Sequence, residues 1–452
     1  MIERSRKHLW SATALVMAAL IPMREATASA SGADGLVSAQ NVKETALWDL
    51  LLPPKTLGEP RLAQISTRIV GLGVDAVGPA VAILFGDIEE PASPHEVHPL
   101  AIDRRQQILM DALVQLPPRA TVSAVRSRLD ANADSDRAIF GVRLLGLAGG
   151  DEALDMIATI AGTLDVMQWH RPFVVNVFEE SLARIAKQDT RNVRKLAAAL
   201  MRAEPRYAAV FARALGSTDV PAAVAPLLRS VGRDRELDLC LMSELARIGD
   251  RGDLAGSVGD VSRLRGYCKD MDPGIQRAAA AALARMGDAD ACGALIAMLD
   301  SRNALTINIA ERSLNLLSGT ALGRDAKAWS AWRERETRWF DTEYQRILEA
   351  LDSSDVKVVS NAIQSLVSHR MYKHEAAIAI RPMLNSSDPE LQRMACTALG
   401  IVGSARALPW LLEKLGSLEE PVRDEALASL RKLTGLPLPL DIESWRVAIS
   451  GS

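Results

Sequence analysis

Apolar residues recur at three- and four-residue spacing along most of the chain, and run after run stops at a glycine or a cluster of loop-forming residues. The clearest run is Ile275, Ala278, Ala279, Ala282, Leu283 and Met286, which together make one face of a helix. Asp272-Pro273 opens that helix, because an aspartate caps free N–H groups and a proline fits the first turn. Gly287 closes it, where the backbone has to turn left-handed. The aliphatic stretch ALIAMLDS then runs back as a second helix. The same two-helix rhythm is readable from Asp134, with DSDRAIFGVRLLGLAGG followed by DEALDMIATIAG. No run of alternating β-branched residues of strand length interrupts it, so the expected class is all-α. One hairpin cannot bury its apolar face alone, whereas stacked neighbours can. The expected architecture is therefore a right-handed α-solenoid of antiparallel helix pairs.

Part of the chain is present twice. Residues 272–332 lie over 388–448 at an offset of 116 without a gap, and about a third of the paired positions are identical. The identities fall where a helical repeat needs them: Asp272/Asp388, Pro273/Pro389, Arg277/Arg393, Gly287/Gly403, Gly319/Gly435, Asp325/Asp441 and Trp329/Trp445. Asp325 and Asp441, four residues before a tryptophan in each copy, read as N-caps of the helix that bears it. The repetition makes Trp329 and Trp445 core anchors.

The pattern D-P-x-[IL]-Q-R-x-A-x-x-A-L-x-x-x-G, followed by an aliphatic second helix, resembles the bacterial HEAT repeat. It is especially similar to the short HEAT-like kind of the phycobilisome-lyase type. In that family an Asp and an Arg form a ladder between neighbouring units, so the resemblance implies this role for Asp272, Arg277, Asp388 and Arg393, with Arg423 similar in a shifted register. The second half, L-x-x-L-[ST]-G-x5-D-x3-W (Leu314–Trp329 and Leu430–Trp445), resembles an ending seen in HEAT-repeat proteins of bacterial envelopes. The resemblance is good over 272–448, moderate over 134–271 and faint before 130. It divides the chain into 1–30, a divergent helical region 31–130, degenerate repeats 131–271, and the repeats with the internal duplication, 272–452. HEAT repeats have no universal functional residues, so what is implied is a fold and a habit of binding proteins.

Composition narrows the partner. The chain has 452 residues, 48% hydrophobic but only 4% aromatic, so its core is aliphatic and alanine-rich. Its formal charge is −3, and no basic stripe of the kind a phosphate backbone needs is present, which argues against nucleic acid. The N-terminus has Arg4, Arg6 and Lys7, then the short apolar run SATALVMAALI, then Ala28-Ser29-Ala30. That order predicts a secretory signal with cleavage after Ala30, so the expected location is the periplasm or otherwise outside the cytoplasm, the bland alternative being a cytosolic amphipathic N-terminus. If the segment stays uncleaved, a membrane tether results. Cys240, Cys268, Cys292 and Cys396 are scattered without a C-x-x-C. Buried small hydrophobes and disulfides both remain open for them.

No catalytic, cofactor-binding or metal-binding residue stands out. His95 and His98 have metal-compatible spacing but no evident third ligand, and His369 and His374 flank a helix–turn junction in the same position of doubt. No nucleophile elbow or phosphate loop is present. Trp332, Trp339, Phe340 and Tyr344 lie in a connector between the copies, and Ala448 stands opposite Trp332, so the repeat does not require that tryptophan. They are candidate partner contacts or filling for an irregular joint. Arg333, Glu334, Arg335, Glu336 and Arg338 read as a solvated face of mixed charge. The working expectation is a scaffold or adaptor that binds an envelope protein through its helical surface, without catalysis. Its alternatives are an enzyme or chromophore-handling protein of the HEAT-like lyase kind, and a membrane-tethered structural protein. N-terminal sequencing and intact mass of the native protein check the export reading. The expected start is near Ser31 with a formal charge of −5; a full-length cytosolic chain contradicts it.

Overall fold

The computed structural model describes residues 39–52, 64–91, 102–129, 134–249 and 258–451. The proposed signal segment, the His95–His98 loop and Pro53-Pro54 lie outside the described residues. Among the described residues there is no strand, and the chain divides into two compact units, Met1–Gln188 and Asp189–Ser452. No single described helix is long and apolar enough to cross a membrane.

Unit 1 contains α1 (Ala39–Leu51), α2 (Ile65–Gly71), α3 (Val77–Phe85), α4 (Ile102–Gln115), α5 (Pro118–Arg126), α6 (Ser135–Ala148), α7 (Asp151–Thr163), the single turn α8 (Val166–Trp169) and α9 (Pro172–Ala186). Alternate helices pack side by side. α2, α4, α6 and α9 form one row, and α3, α5 and α7 a second. Unit 2 contains α10 (Thr190–Arg202), α11 (Pro205–Gly216), α12 (Val224–Ser230), α13 (Arg235–Ile248), α14 (Val258–Gly266), α15 (Pro273–Met286), α16 (Cys292–Met298) and α17 (Ala304–Ser318). The long α18 (Ala326–Leu351) follows, then α19 (Val356–Ser368), α20 (Lys373–Ile380), α21 (Pro389–Val402), α22 (Leu408–Lys414), α23 (Glu420–Thr434) and α24 (Ile442–Gly451). Again the first helices of successive hairpins touch, α11 through α17 in order and then α19, α21 and α23. The second helices α10, α12, α14 and α16 make the other row. This is the solenoid arrangement that the hydrophobic pattern predicts.

A recurrent corner makes the hairpins tight. A short 3₁₀ turn leads into α3, α12, α16 and α22, and each turn ends on an alanine (Ala76, Ala223, Ala291, Ala407) with no exposed surface. A methyl group is all that fits where the second helix closes on the first.

The duplication is also a duplication of contacts. Asp272 and Asp388 each accept a hydrogen bond from the N–H two residues on, ahead of Pro273 and Pro389. Asp325 accepts from the Lys327 and Ala328 N–H groups, and Asp441 from that of Ser444. Trp329 and Trp445 are both fully buried. Each indole N–H donates to a carbonyl six residues earlier, Gly323 and Pro439, at 2.8 Å in both copies. Ser313 donates to the Ala280 carbonyl and Ser429 to that of Cys396. Gly287, Gly403, Gly319 and Gly435 all have positive φ, between 67° and 78°.

The arginines follow the family's pattern only in part. Asp272 faces Arg235 of the preceding hairpin at 3.9 Å, and Arg235 bonds Asp270 at 2.7 Å. Arg393 instead turns back to Glu390 of its own helix at 2.9 Å, and Arg423 holds the Ser417 and Leu418 carbonyls. Arg277 is half-buried on α15. None of the four cysteines is joined in a disulfide, and burial pushes the Cys268, Cys292 and Cys396 thiols up to about 12. These three serve as small core residues.

Consecutive hairpins are pinned at one repeated position, the residue after the first helix's closing glycine. In the first copy this is Asp288, held by both ends of the Arg265 guanidinium fork at 2.7 Å from α14. In the second it is Ser404, 2.9 Å from Nδ1 of His374 on α20. His374 Nε2 lies 2.8 Å from the Met286 carbonyl, so one buried imidazole ties the end of the first copy's α15 to the second copy. A carbonyl can only accept, so Nε2 carries the proton and Nδ1 accepts from the Ser404 hydroxyl. Burial first, and then the charges of Lys373 and Arg406, hold the His374 pKa down at about 3.

Two predictions follow from these pins. A side chain on Gly435 meets open space, so Gly435→Ala costs only the left-handed backbone penalty, about 1–2 kcal/mol. A Cβ on Gly287 runs into the His374 ring, so Gly287→Ala adds about 1–3 kcal/mol of overpacking to that penalty. Urea unfolding of the two variants checks the difference, and equal losses contradict it. For His374 the unfolded state takes up a proton below pH 6.5 while the folded state does not until about 3, so its contribution to stability falls with pH in that window. The advantage of the wild type over His374→Gln should shrink by about 1.4 kcal/mol per pH unit from pH 6 to 4. An advantage independent of pH contradicts the assignment.

Candidate functional site

The aromatic stretch between the copies is no loose connector. No glycine or proline occurs from Ala326 to Leu351, so the helix that begins at the Asp325 cap and carries Trp329 runs on for 26 residues. α18 packs on α19, and its length places side chains three and four apart on one face.

Four residues were expected to act together, and one leaves the set. Trp332 is only 8% exposed and packs edge-on against Trp329, with centroids 5.6 Å apart. A second buried tryptophan on the core face of α18 extends the repeat's own anchor, so Trp332 is core and not a partner contact. Trp339, Phe340 and Tyr344 are half-buried and stay together. They meet two residues from the next hairpin that the sequence did not single out as members, His369 and Tyr372. The Trp339 ring stacks on His369 at 3.8 Å and 10°. Phe340 is sandwiched between Tyr372 at 4.0 Å and Tyr344 at 4.6 Å. Tyr344 also donates to the Glu375 carbonyl at 3.4 Å. The clue to the added rings was their spacing in H-R-M-Y, which puts His369 and Tyr372 on adjoining turns of the α19–α20 corner.

Glu336 departs from the expected solvated face. Glu334, Arg335 and Arg338 are exposed, but Glu336 is buried beneath the rings. Its Oε1 lies 3.2 Å from His369 Nδ1, while its Oε2 has no hydrogen-bond partner among the described residues. Burial raises the Glu336 pKa, and the neighbouring imidazole works against that rise. Burial likewise raises the Tyr344 and Tyr372 phenols. With the His369 N–H donating to the carboxylate, the ring is fixed in the plane that Trp339 covers. The Glu336–His369 contact holds a rigid aromatic surface where α18 meets the corner. Among the described residues no group of three or more His, Cys, Asp or Glu side chains could hold a metal ion. Both nitrogens of His374 are already engaged in the pin between copies.

Several known proteins are similar to this chain. Residues 344–431 match the family model described as HEAT repeats. An engineered protein of solved structure is 19% identical, with 88% of this chain and 96% of that one covered and a TM-score of 0.29. Kap121p bound to Nup53p is 12% identical, with 87% and 49% covered and a TM-score of 0.34, so the chain spans about half the length of Kap121p. Kap121p bound to Pho4p is again 12% identical, with 88% and 50% covered and a TM-score of 0.29. No curated protein matches the sequence. The stretch matched by the family model runs from Tyr344 of the aromatic cluster through the α19–α20 corner, the Asp388 cap and Gly403, and over these residues the chain is similar to HEAT repeats.

Proposed function

We propose that the protein is an exported, non-catalytic scaffold that binds another protein of the cell envelope, and that the α18 aromatic surface is its main contact. One observation carries this reading. Trp339, Phe340, Tyr344, His369 and Tyr372 form a stacked, half-exposed patch at the place where the duplication breaks, in a chain whose aromatic content is only 4%. Rigid aromatic rings give large contact area at small entropic cost, which is why they dominate interface energetics. The signal-like N-terminus supports an envelope location. The buried Glu336–His369 pair serves the same end by fixing the rings before a partner arrives.

A photo-crosslinking side chain in place of Phe340, introduced in the native cell, should give one discrete protein adduct in the envelope fraction. Trp339→Ala should weaken that association about tenfold, the cost of losing one anchor of roughly 1.4 kcal/mol. No adduct, or the same adducts from a probe at exposed Glu349, counts against the reading.

A further inference from the structure

Unit 1 holds a cavity of about 630 Å³, far from the aromatic patch in sequence and formed by α1, the end of α3, α4, α6 and α9. Its walls are mostly apolar, with Leu51, Ile83, Phe85, Leu109, Phe140 and Phe173 among them. That size and lining are those of a small-molecule site.

Each lining acid is already engaged. Glu90 is held by Arg105 Nη1 at 2.8 Å. Asp134 accepts the Arg137 backbone N–H at 2.7 Å as the cap of α6. Asp136 is held by Arg171 at 3.1 Å. Of the lining cations, Arg137 is matched by Asp87 at 2.6 Å. The indole Nε1 of Trp48, a residue only 7% exposed, has no hydrogen-bond partner among the described residues. Neither has the buried Nε of Arg105. Arg143 is half-buried on the same face of α6 as Ile139 and Phe140, and no carboxylate lies within ion-pair distance of it among the described residues. Burial holds its guanidinium below the ordinary value, with only the more distant charge of Glu180 opposing this. A buried donor left unmade is costly, and a desolvated cation without a counter-ion more so.

Among the lining cations Arg143 is therefore the one without a carboxylate at ion-pair distance among the described residues, and it sits in a mostly apolar chamber. We propose that this cavity binds an aliphatic monocarboxylic acid, its carboxylate taken by Arg143 and its chain lying among the leucine, isoleucine and phenylalanine side chains. The charge of Arg143 suits a monoanion, and its planar guanidinium fork suits a carboxylate. The assignment does not depend on the envelope partner.

The test is calorimetric titration of the full chain with dodecanoate and with dodecanol, both below their micelle concentrations. Dodecanoate should bind one to one and at least tenfold more tightly than dodecanol. Arg143→Met keeps an apolar stem but removes the charge, and should erase that preference; Arg143→Lys should restore part of it. Leu109→Trp, which fills the cavity, should weaken both ligands about tenfold, with folding of each variant verified by circular dichroism. Absence of saturable binding to the wild type overturns the proposal. So does a preference for the acid that survives in Arg143→Met, or affinities for both ligands unchanged in a folded Leu109→Trp.

Discussion

A pair of amphipathic helices leaves each with an apolar flank that its partner does not cover, and everything else in unit 2 answers that constraint. The flank is covered by the next hairpin, so stability resides in the seams between hairpins more than within any one of them. Alanine corners bring the second helices close, and fully buried tryptophans fill the wider gaps. Each such indole is worth roughly 4–6 kcal/mol of burial, provided its N–H is satisfied. Trp329 and Trp445 are satisfied in the same way, by a carbonyl in the loop that leads into their own helix. The polar pins, Arg265 on Asp288 and His374 on Ser404, then fix the register of neighbouring hairpins.

Much of this was legible in the sequence because it is local. An Asp-Pro opening, a closing glycine and a three-four apolar spacing lie within one helix, and a duplication exposes the positions that matter. Asp272, Gly287, Asp325 and Trp329 could be read in this way, and their partners at 388, 403, 441 and 445 repeat the geometry. What the sequence hid was set by contacts distant along the chain. Trp332 looked dispensable because Ala448 stands opposite it, yet it is buried edge-on against Trp329 on the core face of α18. Glu336 sat in a charged run that suggested solvent, and only the approach of His369 from the next hairpin buries it. The unit 1 cavity draws its walls from five helices, which no local pattern could bring together.

The candidate site therefore occupies a break in the repeat. Within the copies, side chains are committed to caps, seams and core. Between the copies, α18 and the α19–α20 corner bring rings together that no repeat position requires, held over a buried carboxylate. The same insertion has a structural duty, since His374 at its far side reaches both Met286 of the first copy and Ser404 of the second. A partner that pressed on the rings would press on the joint between the copies.

The central structural claim is that this insertion makes the two copies one cooperative block. Native-state hydrogen exchange on the full chain tests it most directly, by comparing the most protected amides of α15 with those of α21. The account predicts a common opening free energy for the two helices. Opening free energies that differ by more than about 2 kcal/mol would mean that the copies unfold separately and that the insertion is only a spacer.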